Sequence, residues 1–298
     1  MTTATAVRRQ TRARHPDEAG FVEVGGVRIG YEVFGTGEPT LLLLPTWTII
    51  HSRFWKAQVP YLARHYRVVT YDGPGNGRSD RTTDPAAYTL DAGTECALAV
   101  MDTTETERAA LISLSQGGQW ALWLAAHRPE RVLGSLFIGP AVALGERDPE
   151  RAAAFDAFDR PYTSTEGWAR YNRYYWLDHY EDFAWFFFSR CFTEPHSTKQ
   201  IEDCVGWALE TTPDALVADA DTSEPDAEEL RSWCARVSCP TLVVHGAADE
   251  IVPLRHALAL AEECGGTLVT LEGSGHIPLA RDPVRVNLLI REFVESIR

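Results

Sequence analysis

The sequence predicts an α/β protein, a mostly parallel central sheet flanked by helices, with a helical cap inserted into it. Three observations carry that expectation. Short apolar runs alternate with helix-length segments along most of the 298-residue chain. The runs are apolar at successive positions, as strands buried on both faces of a parallel sheet are, and strand–helix–strand repetition winds such a sheet. One long interval, residues 141–237, breaks the alternation, holding acidic and aromatic helix-like sequence and no strand-like run.

Taken in order, residues 1–18 place Arg8, Arg9, Arg12 and Arg14 among threonines and alanines. No apolar stretch follows that would serve as a signal core, so this segment is expected to be a disordered tail. Residues 21–34 alternate around Val27, Ile29, Tyr31 and Val33 with Gly25-Gly26 between two runs, the pattern of an antiparallel hairpin. Strands are then expected at 41–44, 67–71, 109–114, 132–138, 241–245 and 267–271, and helices at 54–64, 90–101, 116–127 and 254–263. A last helix opens on Asp282 as N-cap with Pro283 at its first position, and sets Val286, Leu289, Phe293 and Ile297 along one face. The expected division is a tail over 1–18, a sheet core over 19–140 and 238–298, and a cap over 141–237.

Composition narrows the classes of function. A hydrophobic content of 45% suffices for a full core. The formal net charge is −14, and the basic residues, nearly all arginine with only Lys56 and Lys199 as lysines, form no dense stripe. Nucleic acid is therefore not an expected partner, because phosphate-backbone binding rests on a clustered basic surface. Nothing reaches 18 consecutive apolar residues, so no membrane span or membrane partner is expected, and the chain reads as cytoplasmic. Cys96, Cys191, Cys204, Cys234, Cys239 and Cys264 lack the short paired spacing of a zinc site or redox pair. The histidines show no two-on-one-helix-face zinc motif, so neither a metal nor another cofactor is expected. His51 stands out only for its place after the third strand.

Chemistry concentrates after the strands. The run 109–114 leads into Ser115-Gln116-Gly117-Gly118 and then into the helix-forming Gln119-Trp120-Ala121-Leu122. A strand, a tight turn and a helix are what a nucleophile elbow requires. The turn exposes a serine hydroxyl above the sheet, small neighbours avoid a clash, and the next backbone amide faces the reacting carbonyl. The pentapeptide Ser113-Leu114-Ser115-Gln116-Gly117 has serine where the first glycine usually stands, so register must decide between two serines, and it favours Ser115. After 241–245, Gly246-Ala247-Ala248-Asp249 sets a carboxylate in a loop before a helix. After 267–271, Glu272-Gly273-Ser274-Gly275-His276 carries a histidine on a glycine-rich loop. Singly, these are an N-cap aspartate and a loop histidine. Together, the order Ser, Asp, His, each behind a parallel strand, puts a nucleophile, an orienting acid and a base at one end of the sheet.

Over roughly residues 20–297 the chain resembles the α/β-hydrolase superfamily. Tyr71-Asp72-Gly73-Pro74-Gly75-Asn76-Gly77-Arg78-Ser79-Asp80 is similar to the loop after that family's fourth strand, where its role is structural. The resemblance implies an oxyanion hole in the loop after the third strand. Pro45-Thr46 stand here in place of the family's frequent His-Gly, which sets the Trp47 amide beside the Gln116 amide as the donor pair. It further implies a serine hydrolase acting through an acyl-enzyme on an ester, thioester or related acyl bond, since members cleaving halides or epoxides use an aspartate nucleophile. Acyl transfer, carbon–carbon bond hydrolysis and a non-catalytic ligand receptor are the alternatives on the same fold. Twelve aromatic residues between Trp168 and Phe192 imply that the cap offers an apolar cavity to a small, largely apolar acyl substrate. Trp176 and Trp185 are the expected contacts, and Arg170 or Arg173 would meet a charged group if either turned inward.

Overall fold

The computed structural model describes residues 12–146 and 148–298. Residues 1–11 of the expected tail lie outside the described residues. The remainder of that segment lies against the sheet: Arg12 pairs with Glu32 at 2.7 Å, the Asp17 amide donates to the Val33 carbonyl, and the first strand opens at Glu18. Hydropathy gives no hint of this, because the contacts are an ion pair and a backbone hydrogen bond.

Eight strands form one sheet: β1 Glu18–Val24, β2 Val27–Phe34, β3 Thr40–Leu43, β4 Arg67–Tyr71, β5 Ala109–Leu114, β6 Val132–Ile138, β7 Thr241–Gly246 and β8 Thr267–Leu271. Their spatial order is β1-β2-β4-β3-β5-β6-β7-β8. The β1–β2 and β2–β4 pairs are antiparallel and all others parallel. Every residue of β3, β5 and β7 is buried, which explains why these strands read as unbroken apolar runs.

Eleven α-helices are described: α1 Val59–Leu62, α2 Leu90–Thr103, α3 Gly117–His127, α4 Pro149–Asp156, α5 Arg173–Cys191, α6 Thr198–Ala208, α7 Pro213–Ala220, α8 Ala227–Cys234, α9 Leu254–Glu263, α10 Pro278–Arg281 and α11 Pro283–Ser296. The helix expected at 54–64 resolves into a 3-10 turn at Ser52–Trp55 and the single turn α1, with Pro60 inside α1. Asp282 caps α11 through the Arg285 amide, and Val286, Ile290, Phe293 and Val294 face the core. Between β6 and β7 the elements described are the helices α4 to α8 and a 3-10 turn at Gly167–Arg170, joined by loops. Of these, α8 packs on α3 and α9 alongside the sheet, whereas α5 packs on α6 and α7. Helix α5 is bent at His179, whose φ and ψ of −139° and 42° are non-helical. No helix among the described residues is long and apolar enough to cross a membrane.

Candidate active site

Ser115 follows β5 at a backbone φ of +51°, a left-handed conformation that a non-glycine residue adopts only where surrounding contacts impose it. Those contacts are on both sides. The Ser115 amide donates to the Ile138 carbonyl at 3.0 Å, and its own carbonyl accepts from the Gly118 and Ala141 amides at 2.9 and 3.0 Å. Ser113, by contrast, is fully buried within β5 and donates to the Leu136 carbonyl. The two serines thus occupy different environments, one inside the sheet and one at the turn above it.

Asp249 and His276 come together at the ends of β7 and β8. His276 Nδ1 lies 2.8 Å from Asp249 Oδ2, with the two side chains 3% and 1% exposed. The other carboxylate oxygen accepts from the Ile251 and Val252 amides at 2.7 and 2.9 Å. Burial opposes the charge on Asp249, but His276, His245 and the Val252 amide outweigh it, and the carboxyl is held below its usual range. His245, which the sequence offers only as a packing residue, is fully buried 3.6 Å from the same carboxylate and bonds the Val252 carbonyl through Nε2. Burial lowers its pKa despite the neighbouring Asp249 charge. The His276 backbone is fixed in turn, its amide donating to the Cys191 carbonyl at 2.8 Å. An added Cβ on Gly139 would meet the His276 ring at 3.2 Å. Ser115 and His276 therefore abut the same short segment, Ile138 to Ala141.

The loop after β3 is pinned from two directions. Asn76 Nδ2 donates to the Thr48 and Ile50 carbonyls at 2.8 and 2.9 Å, while Asp72 accepts from the Ser52 and Arg78 amides at 2.9 and 2.8 Å. The glycine-rich segment after β4 therefore acts as a brace for residues 48–52. On the other side, an added Cβ at Gly117 would collide with the Pro45 carbonyl oxygen. Gly117→Ala is accordingly expected to push the loop away from α3, reducing kcat on an activated ester by roughly 10- to 100-fold if a loop amide serves as an oxyanion donor. Steady-state kinetics beside a melting curve checks this, and unchanged kcat would refute it. His51 is buried near this loop, 3.3 Å from Glu210.

Ser115 lines a cavity of about 310 Å³ with Trp47, Gln116, Gln119, Phe155, Phe158, Tyr171, Phe187, Ile251 and Val252. Neither tryptophan expected on the cap takes part in it. Trp176 is fully buried behind the wall, its ring centroid 5.7 Å from Trp47, and Trp185 is 42% exposed. Arg170 and Arg173 are not in its lining; Arg170 pairs with Asp182, and Arg173 with Asp221 and with Asp159, which is itself on the cavity wall. Arg151 lines the cavity instead, stacked over Trp168 at 4.9 Å and Phe155 at 5.5 Å.

Asp219 is the acidic residue that the sequence reading missed. It sits on α7, is 5% exposed and lines the same cavity. Burial pushes its carboxyl up to about 6, against the nearby polar groups of Thr48 and Gln116, which favour the charge. A carboxyl raised in the fold stabilises it only at low pH. That contribution is complete below the unfolded value near 3.8, fades as pH rises through about 6, and is absent at neutrality. Asp219→Asn is therefore expected to raise stability at pH 7.5 by on the order of 2–3 kcal/mol, with the advantage vanishing near pH 4. Denaturant titrations at the two pH values check this. Among the described residues no cluster of three or more His, Cys, Asp or Glu side chains is arranged to hold a metal ion.

A family model of the alpha/beta hydrolase fold matches residues 39–283. The chain belongs to the α/β-hydrolase family, and it is an enzyme of that family. It is 25% identical over 263 residues to 3-oxoadipate enol-lactonase 2 of Acinetobacter baylyi, covering 88% of this chain and 91% of the relative. It is 27% identical to the pimeloyl-[acyl-carrier protein] methyl ester esterase of Aeromonas hydrophila over 89% of this chain and 99% of the relative. The crystal structure of the enol-lactonase from Burkholderia xenovorans LB400 superimposes with a TM-score of 0.74 at 23% identity, covering 93% of this chain and all of that one.

Proposed function

We propose that the protein is a serine hydrolase that cleaves an ester, thioester or related acyl bond of a small compound with a largely apolar body. The observation that carries this reading is the buried Asp249–His276 pair at 2.8 Å, set at the same end of the sheet as Ser115 in its strained turn. In this reading His276 takes the Ser115 proton as the hydroxyl attacks the carbonyl. Asp249 holds the imidazole with Nδ1 protonated and offsets the charge that forms on it. The Trp47 and Gln116 amides receive the oxyanion. Collapse expels the leaving group with a proton from His276, leaving an acyl-serine, and water activated by the same histidine then frees the acid. Relatives named for enol-lactone and methyl-ester substrates are in keeping with acyl-oxygen cleavage. The rings of Trp47, Phe155, Phe158, Tyr171 and Phe187 along the cavity suit an apolar body.

The test is covalent labelling. A serine-directed fluorophosphonate should add one equivalent of mass, located on the peptide that contains Ser115, and should abolish turnover of an activated ester. A chain left unmodified, or modified at another serine with activity intact, would overturn the assignment.

A further inference from the structure

We propose that the Asp219 carboxyl is a recognition site for a hydrogen-bond donor carried by the substrate next to its scissile carbonyl, an amide N–H or a hydroxyl. This deepens the hydrolase reading and rests on it.

The argument begins with an imbalance. Asp219 is buried on the wall of the cavity that it lines together with Ser115, Trp47 and Gln116. Its Oδ2, however, has no hydrogen-bond partner among the described residues. A buried carboxylate with an unsatisfied oxygen is costly, and α7 offers no reason of packing for it. Ala215, Leu216 and Ala218 of the same helix are buried and apolar, and an apolar residue at 219 would complete that face. The carboxyl is also ionised through most of the neutral range, since its raised value is still only about 6. A charge retained at a position that favours none points to a group that arrives from outside the chain.

Placement says where on the substrate that group lies. Thr48 follows Trp47, and Gln116 follows Ser115. Asp219 lines one cavity with Trp47, Gln116 and Ser115, the proposed oxyanion donors and nucleophile, and a second, smaller one with Thr48, which sets the recognised donor on the part of the substrate that flanks the reacting carbonyl. An anion there repels the negative charge that develops on that carbonyl oxygen. A donor held between them offsets the repulsion, so a substrate that brings one is favoured in the transition state over a substrate that brings none.

Two probes of nearly equal shape separate the cases: N-octanoylglycine methyl ester, which carries an N–H beside the ester carbonyl, and methyl octanoyloxyacetate, in which oxygen replaces that N–H. Binding to the Ser115→Ala protein, measured by calorimetry, is independent of turnover. The amide is expected to bind about 10- to 100-fold more tightly, the range for a hydrogen bond to a charged acceptor. In Ser115→Ala/Asp219→Leu that preference should collapse to about one, and in Ser115→Ala/Asp219→Asn it should shrink, which guards against a misfolded leucine variant. Equal binding of the two probes to Ser115→Ala, or a preference that survives both Asp219 substitutions, would overturn the proposal. Turnover of the amide ester by the unaltered protein tests the hydrolase reading separately.

Discussion

Replacing Ser115 with alanine is expected to reduce kcat on an activated ester by about 10⁶-fold, the scale on which triad nucleophiles are lost. The residue is half-buried at a turn that a hydrogen-bond network already imposes, so the variant should fold and bind as the parent does. The control is Ser113→Ala. Its hydroxyl is sealed inside β5 against the Leu136 carbonyl, and its removal should cost about 1 kcal/mol of stability while turnover stays within a few-fold. Measuring both variants with one substrate distinguishes the two serines, and loss of activity in Ser113→Ala alone would reverse their assignment.

Asp249→Asn should lower kcat by about 10⁴-fold, and the surroundings explain why an isosteric change is so damaging. One carboxylate oxygen accepts from two backbone amides, and the other faces His276 Nδ1. Every neighbour is a donor. An asparagine has to turn its NH₂ either toward Ile251 and Val252 or toward the imidazole, and the second choice forces the proton from Nδ1 to Nε2, where it blocks the base. Calorimetric melting should show the folded state retained, and kinetics the loss of turnover. Turnover within tenfold of the parent would remove Asp249 from the mechanism.

Much of the frame was legible because burial on both faces leaves a plain mark. The runs at 67–71, 109–114 and 132–138 coincide with β4, β5 and β6, since in a covered sheet successive residues both point into apolar surroundings; the run at 267–271 coincides with the edge strand β8, of which only Leu271 is buried. The meeting of Asp249 with His276 followed from the order of the strands that carry them. The cap was less legible. Trp176 and Trp185 are nine residues apart, half a turn out of phase on a regular helix, and α5 is also bent between them at His179. A helix rich in rings all round gives no periodic cue to its inward face. Phe187, eleven residues from Trp176, returns nearly to the same side, and it is Phe187 that reaches the cavity. Asp219 did leave a signal, an acid three residues beyond Leu216 and four beyond Ala215 on the buried side of α7. That signal is easily passed over in a chain so rich in acids.

The exit of α5 constrains how such enzymes can be recombined. Cys191 receives the His276 amide, Thr193 donates to the Ala248 carbonyl beside Asp249, Glu194 accepts from the Gly275 amide, and Arg190 pairs with Glu250. Residues 190–194 are thus the scaffold on which both the Asp249 loop and the His276 loop hang. A chimera that grafts a foreign segment between β6 and β7 would carry these contacts away with the sequence it replaces, leaving His276 without its backbone anchor. The practical seam lies further inside, with residues 190–194 kept from the parent, so that substrate preference can be exchanged by cassette while the machinery beneath it stays assembled.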